Sequence, residues 1–124
     1  MTRINVGIKP KELPSKLLIA ELRELVRIPN QVKTGKYDMK GQPIEFKLGT
    51  GHVKFFYDKL GYLFKRYNSL RKEALNRGYN VQDFSNSWDE IPNNMMGEYT
   101  EQPKDREILI SRIKKRGFDI KKIT

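Results

Sequence analysis

The sequence predicts an all-α fold, one domain spanning residues 1–124 and built of about three helices joined by long loops. Three observations carry that expectation. Apolar residues recur three and four apart in two separate stretches, clusters of proline and glycine divide those stretches, and a third helical stretch opens at Pro103 and closes at Gly117.

The first helix is expected over Lys16 to Ile28. At 3.6 residues per turn, Leu18, Ile19, Leu22, Leu25 and Val26 gather on one side, which is core material. Ala20, Glu21, Arg23, Glu24 and Arg27 gather on the other, where Glu24 sits between two guanidiniums and beside an alanine small enough to admit a close approach. Pro10 and Pro14 break the approach to this helix, Ser15 is its expected N-cap, and Pro29-Asn30 ends it. Residues 30 to 50 mix Gly35, Gly41, Pro43 and Gly49 with Lys33, Lys36, Lys40 and Lys47, the pattern of an irregular basic surface loop that either follows phosphates or is simply solvated.

The longest helix is expected from Gly51 to Gly78. Val53, Phe56, Leu60, Leu63, Tyr67, Leu70 and Ala74 form its core stripe, and Lys54, Lys65, Arg66, Arg71, Lys72 and Arg77 decorate its exposed sides. The following stretch, Tyr79 to Thr100, is loop-rich, with one short helical turn at most and with Trp88 and Ile91 as its anchors in the core. The last helix starts at Pro103, runs to about Lys115 and carries a dense basic end that includes Arg112, Lys115 and Arg116.

Composition narrows the function. With 25 Lys+Arg against 15 Asp+Glu, the formal charge is +10, which attracts a polyanion, and nucleic acid is the commonest one. The absence of cysteine excludes disulfides, Cys-ligated zinc and thiol nucleophiles, and a single histidine, His52, makes a His-based metal site or a Ser-His triad hard to assemble. No apolar run approaches the roughly 18 residues of a membrane span, and the polar start lacks a signal-peptide core. The expectation is a soluble cytoplasmic monomer that uses no metal or cofactor.

The start, Met1-Thr2-Arg3, offers a group of another kind. Aminopeptidases generally remove Met before Thr, which leaves the Thr2 α-amine as the terminus. An α-amine titrates at about 7.7–8.0, against about 10.4 for lysine, so a useful fraction is neutral and nucleophilic near pH 7. By position alone the same residues read as a frayed end. His52, close to the start of the long helix, is expected to titrate near neutrality or below it, as a structural or phosphate-contacting histidine.

Five ordered blocks, MTRIN, AELREL, LGTGHVKFFYDKL, RGYN, and EIP followed by GEY, together resemble the phage pyrimidine-dimer DNA glycosylase/AP lyase family over residues 1 to about 100. The resemblance implies an all-α, cofactor-free base-excision enzyme acting on double-stranded DNA that carries damaged or abasic nucleotides, in the host cytoplasm if phage-encoded. It implies Thr2 as nucleophile and Glu24 as catalytic carboxylate. It aligns Arg3, Arg23 and Arg27 with residues that hold phosphates around the lesion, and His52 with a histidine of the GHV block. Lys16, Lys33, Arg112 and Lys115 complete the candidate DNA contacts, and no residue is a candidate metal ligand. The chain departs from the family pattern in ending FDIKKIT in place of an aromatic-rich tail, and in carrying Lys16 and Leu17 where a glutamine and a histidine are found. Two other readings stay open, a non-enzymatic phage DNA-binding protein on the same scaffold and a glycosylase for a different lesion or modified base.

Overall fold

The first predicted helix breaks earlier than expected and then continues through its proline. In the computed structural model, which describes residues 2–121, α1 spans Ser15–Leu25 and α2 spans Arg27–Lys33, with the break at Val26. Pro29 lacks an N–H and its ring would collide with the carbonyl four residues back, so it is tolerated only in a first turn. Breaking the helix at Val26 puts Pro29 there, and the chain runs helically on to Lys33. Ser15 is the first residue of α1 and not its cap; its hydroxyl accepts a hydrogen bond from Arg77 at 3.1 Å.

The second predicted helix also divides. A short α3, His52–Phe55, is followed by α4, Leu60–Asn76. The interruption is filled by tertiary pairing: the Asp58 carbonyl accepts from the Gly97 N–H, and the Gly97 carbonyl accepts from the Tyr62 N–H in the first turn of α4. The segment can approach this closely because Gly61 has no side chain; a Cβ there would lie 2.7 Å from the Met96 carbonyl oxygen. Two 3-10 turns, Ser85–Trp88 and Asn93–Met95, punctuate the long connection, where one turn at most was expected. Trp88 anchors it as predicted, its indole N–H donating to the Leu60 carbonyl at 2.9 Å. The last helix, α5, spans Pro103–Lys115, as read from the sequence.

Three predicted helices therefore become five among the described residues, with no strand and one isolated bridge between Lys59 and Met96. The core forms one cluster in which α1 packs on α4, with Leu18, Leu25, Leu60, Leu63, Tyr67 and Leu70 fully buried. No helix among the described residues is long and apolar enough to cross a membrane.

The chain before α1 is the unexpected element. Residues 2 to 13 lie as a strap against the helices, with Ile4, Val6, Ile8 and Leu13 fully buried. Its backbone groups are held by side chains where a sheet would use a neighbouring strand. The Ile4 N–H donates to His52, the Gly7 N–H to Glu101, and Arg66, Arg77 and Arg106 donate to carbonyls of residues 7 to 11. A turn closed by the Ile8 N–H on the Asn5 carbonyl bends the strap at Gly7, whose φ of 82° is left-handed backbone that glycine adopts freely. From residue 4 onward, this is no frayed end.

Candidate active site

A cleft of about 360 Å³ opens between the start of the strap, α1 and the end of α5, lined by Arg3, Asn5, Leu17, Ala20, Glu21, Glu24 and Arg116. Each element contributes by its own periodicity. In the extended start of the strap, alternate residues face opposite ways, so Arg3 and Asn5 reach the cleft while Ile4 is fully buried. On α1, residues three and four apart share a face, which brings Leu17, Ala20, Glu21 and Glu24 to one side. Ala20 keeps that wall low.

The electrostatics are dominated by arginine. Burial, and after it the like charges of Arg112 and Arg116, pull the Arg3 guanidinium below its ordinary value, while Glu24 acts in the opposite sense. Glu24, half-buried, is thus a carboxylate that interacts with Arg3 and shares its cleft with Arg116.

Beneath the cleft lies a buried polar network that the helical-wheel reading misplaced. Glu21 and Arg66 were both expected on exposed faces. Both are buried, joined by a two-pronged ion pair with Arg66 Nε donating to Oε2 at 2.5 Å and Nη2 to Oε1 at 3.0 Å. Burial works against the Arg66 charge, yet the adjoining Glu21 carboxylate outweighs it and raises the guanidinium above its ordinary value. The Asn5 amide donates to the same Oε1 at 2.8 Å, and Arg66 Nη1 donates to the Ile8 carbonyl at 2.9 Å. The only hint in the sequence was position: Arg66 falls next to Tyr67 and three after Leu63, at the margin of the apolar stripe.

His52 requires a correction. It is 4% exposed, with Nε2 accepting the Ile4 N–H at 2.9 Å and Nδ1 at 2.9 Å from the Lys47 carbonyl. These partners assign the neutral tautomer with the proton on Nδ1. Burial lowers its titration below the ordinary histidine range, helped by Arg3 and opposed by the bond to Lys47. Both ring nitrogens are engaged, so His52 holds the strap and presents nothing to a phosphate.

The other predicted contacts distribute unevenly. Arg3 and Glu24 line the cleft, the charge of Arg112 acts on Arg3, and Thr2, half-buried, directly precedes Arg3. Arg23 is exposed but lines a separate apolar groove with Ile19, Leu22, Tyr67, Val81, Gln82 and Phe84, and Arg27 is exposed at the start of α2. Lys33 donates to the Asn86 carbonyl at 2.9 Å, which ties α2 to the first 3-10 turn, away from the cleft. Lys115 is exposed on α5. Lys16 lies 5.9 Å from the centre of the Phe118 ring, which Arg116 also approaches to 5.9 Å, so one aromatic side chain of the C-terminal segment sits beside a cation that lines the cleft. Met1 lies outside the described residues. Among the described residues, no three His, Asp or Glu side chains group as a metal site would need.

A family model described as pyrimidine dimer DNA glycosylase matches residues 1–87. The chain belongs to that family. The match covers every cleft residue on the strap and on α1, and the buried Arg66 beneath them, but stops short of α5. A DNA glycosylase of this family has DNA as its substrate, which agrees with the +10 charge and with an arginine-rich cleft. Arg116, which lines the cleft, and Arg112, whose charge acts on Arg3, lie outside the matched residues.

Proposed function

We propose that the chain excises damaged pyrimidines, with the pyrimidine dimer as the leading candidate, and nicks the strand through a Schiff base formed by its own amino terminus. The observation that carries this reading is the shared cleft: Glu24 and the residue next to Thr2 line the same arginine-flanked hollow. The chain acts as one domain, as a monomer and without a cofactor.

In this mechanism the processed chain presents the neutral Thr2 α-amine. Its lone pair attacks C1′ as the glycosidic C1′–N1 bond breaks, and the base leaves with that electron pair and takes up a proton. The attached amine sheds a proton, the C1′–O4′ bond opens with O4′ gaining a proton, and an iminium links Thr2 to the sugar. The iminium acidifies C2′; loss of the C2′ proton expels the 3′-phosphate from C3′ and cuts the strand. Glu24 faces the positive charge that develops at C1′ and at nitrogen and relays these protons, a role worth roughly 10²–10⁴-fold in rate. Arg3, Arg112 and Arg116 hold the phosphates of a duplex distorted at the lesion, a distortion costing a few kcal/mol that is smallest at a damaged pair.

Borohydride added during reaction with abasic-site DNA should trap a covalent adduct that maps to Thr2. Glu24→Gln should lower strand cutting about 10²–10⁴-fold while leaving DNA affinity unchanged. Binding without any adduct would make the chain a non-enzymatic DNA-binding protein, and equal loss of binding and cutting in Glu24→Gln would make Glu24 structural. Duplexes bearing a cyclobutane dimer, an abasic site or modified bases assign the lesion, and cutting of the dimer duplex is the expected result.

A further inference from the structure

We propose that Asn5 is a positioning residue for the reaction, setting where the chain end lies in the cleft, with the Glu21–Arg66 ion pair as its fixed mount. The inference rests on the amino-terminal mechanism above. The strap is already fastened downstream of Gly7: Arg106 pairs with Glu12 at 2.6 Å and with the Gly7 carbonyl, and Arg77 holds the carbonyls of Pro10 and Lys11. Those contacts, together with the buried Ile4, Val6 and Ile8, attach the strap to the core without any help from Asn5. A buried ion pair is a poor choice for added stability, because the desolvation of both charges cancels much of their attraction. What the pair supplies is a rigid acceptor at a fixed height on α1.

That height matters because Glu21 and Glu24 are one turn apart on the same face of α1, and both line the cleft. The bond from Asn5 to Glu21 therefore registers the strap against the helix that carries Glu24. Thr2 is three residues from Asn5, so its amine lies within roughly 11 Å of this peg. A slip of one residue would move the chain end by about 3.3 Å and exchange the sides taken by Arg3 and Ile4. The Ile4 N–H bond to His52 resists the same slip from the opposite side, but His52 grips only backbone and cannot tell one residue from the next. Asn5 adds a side-chain bond that marks its own position, its amide donating to Glu21.

The test uses Asn5→Ala, which keeps the ion pair, and the double variant Glu21→Leu with Arg66→Met, which replaces the pair by apolar groups without leaving a lone buried charge and removes the acceptor of the Asn5 amide. Each is compared with wild type for the rate of borohydride-trapped adduct formation at saturating abasic-site DNA, for DNA affinity, and for hydrogen exchange at the Ile4 amide. Both variants should trap roughly 10–10²-fold more slowly with affinity unchanged, the loss expected from a displacement of about 1 Å, and the Ile4 amide should exchange faster while α4 amides keep their protection. Trapping at the wild-type rate, or a loss matched by an equal loss of affinity, would overturn the proposal. If wild type forms no adduct at Thr2, the amino-terminal mechanism itself falls. Ile4 exchange then still decides whether Asn5 fixes the chain end, and unchanged exchange would overturn that as well.

Discussion

His52 and Glu12 show how single side chains tie the strap to pH. The folded state holds His52 neutral, with a pKa below its unfolded value, because burial penalises the charge and Nε2 is occupied by the Ile4 N–H. A group depressed in this way contributes stability that is fully present above about pH 6.5 and is lost as the pH falls toward the folded-state value. Urea midpoints of the wild type should therefore drop between pH 8 and pH 5.5. His52→Gln, which keeps an acceptor but does not titrate, should show no drop in that window, and parallel curves for the two proteins would count against the assignment. The Glu12 carboxyl is held below its ordinary range, first by its hydrogen bond from Arg106, so its contribution is present above about pH 4.5 and fades only at lower pH. The ion pair beneath the cleft behaves differently. Glu21→Ala alone leaves a buried guanidinium without its partner and should cost about 3–5 kcal/mol by denaturation, whereas the paired apolar replacement should cost less, about 1–3 kcal/mol for the Asn5 amide and Ile8 carbonyl it leaves without partners.

At the scale of elements, the sequence was most legible where periodicity and punctuation agreed. The span of α5 and the stripe on α4 from Leu60 to Ala74 were read directly, because Pro103, Gly117 and the apolar spacing all point the same way. The breaks at Val26 and at residues 56 to 59 were not legible. Each depends on a tertiary demand: the placement of Pro29 in a first turn, and the pairing of residues 58 to 62 with Met96 and Gly97. Glu21 and Arg66 were misplaced for a related reason, since a helical wheel sorts charges outward and cannot see that a strap will cover them. Glu24, one turn further along the same face, stays half-buried and lines the cleft. One substitution probes the pairing: Gly61→Ala should cost about 1–3 kcal/mol by thermal denaturation, because its Cβ would meet two carbonyl oxygens at 2.7 and 3.0 Å. A neutral effect would mean that residues 96 and 97 yield easily.

For the whole molecule, charge decides how DNA is met. Ten surplus positive charges on 124 residues should make affinity fall steeply with salt, and each phosphate neutralised should add about 0.9 to the slope of log affinity against log salt. Arg112→Glu and Arg116→Glu should flatten that slope by about one apiece while affecting damaged and undamaged duplexes alike, as measured by fluorescence anisotropy across a salt series. Arg27→Glu and Lys33→Glu, at and beyond the start of α2, should flatten it less, since neither residue lines the cleft or is among the charges acting on Arg3. Overall charge was plain from composition. That Arg112 and Arg116 come close enough to act on Arg3 was not, because they lie more than a hundred positions from it.

The meeting of the strap with α5 also bears on how the protein is made. Gly7 is held by Glu101 and Arg106, and Glu12 by Arg106, so residues 7 to 12 cannot be fully seated until residues 101 to 106 have been made. A chain made only as far as α4 has only part of the bed for its strap, and the cleft between strap, α1 and α5 takes shape only once α5 has joined them.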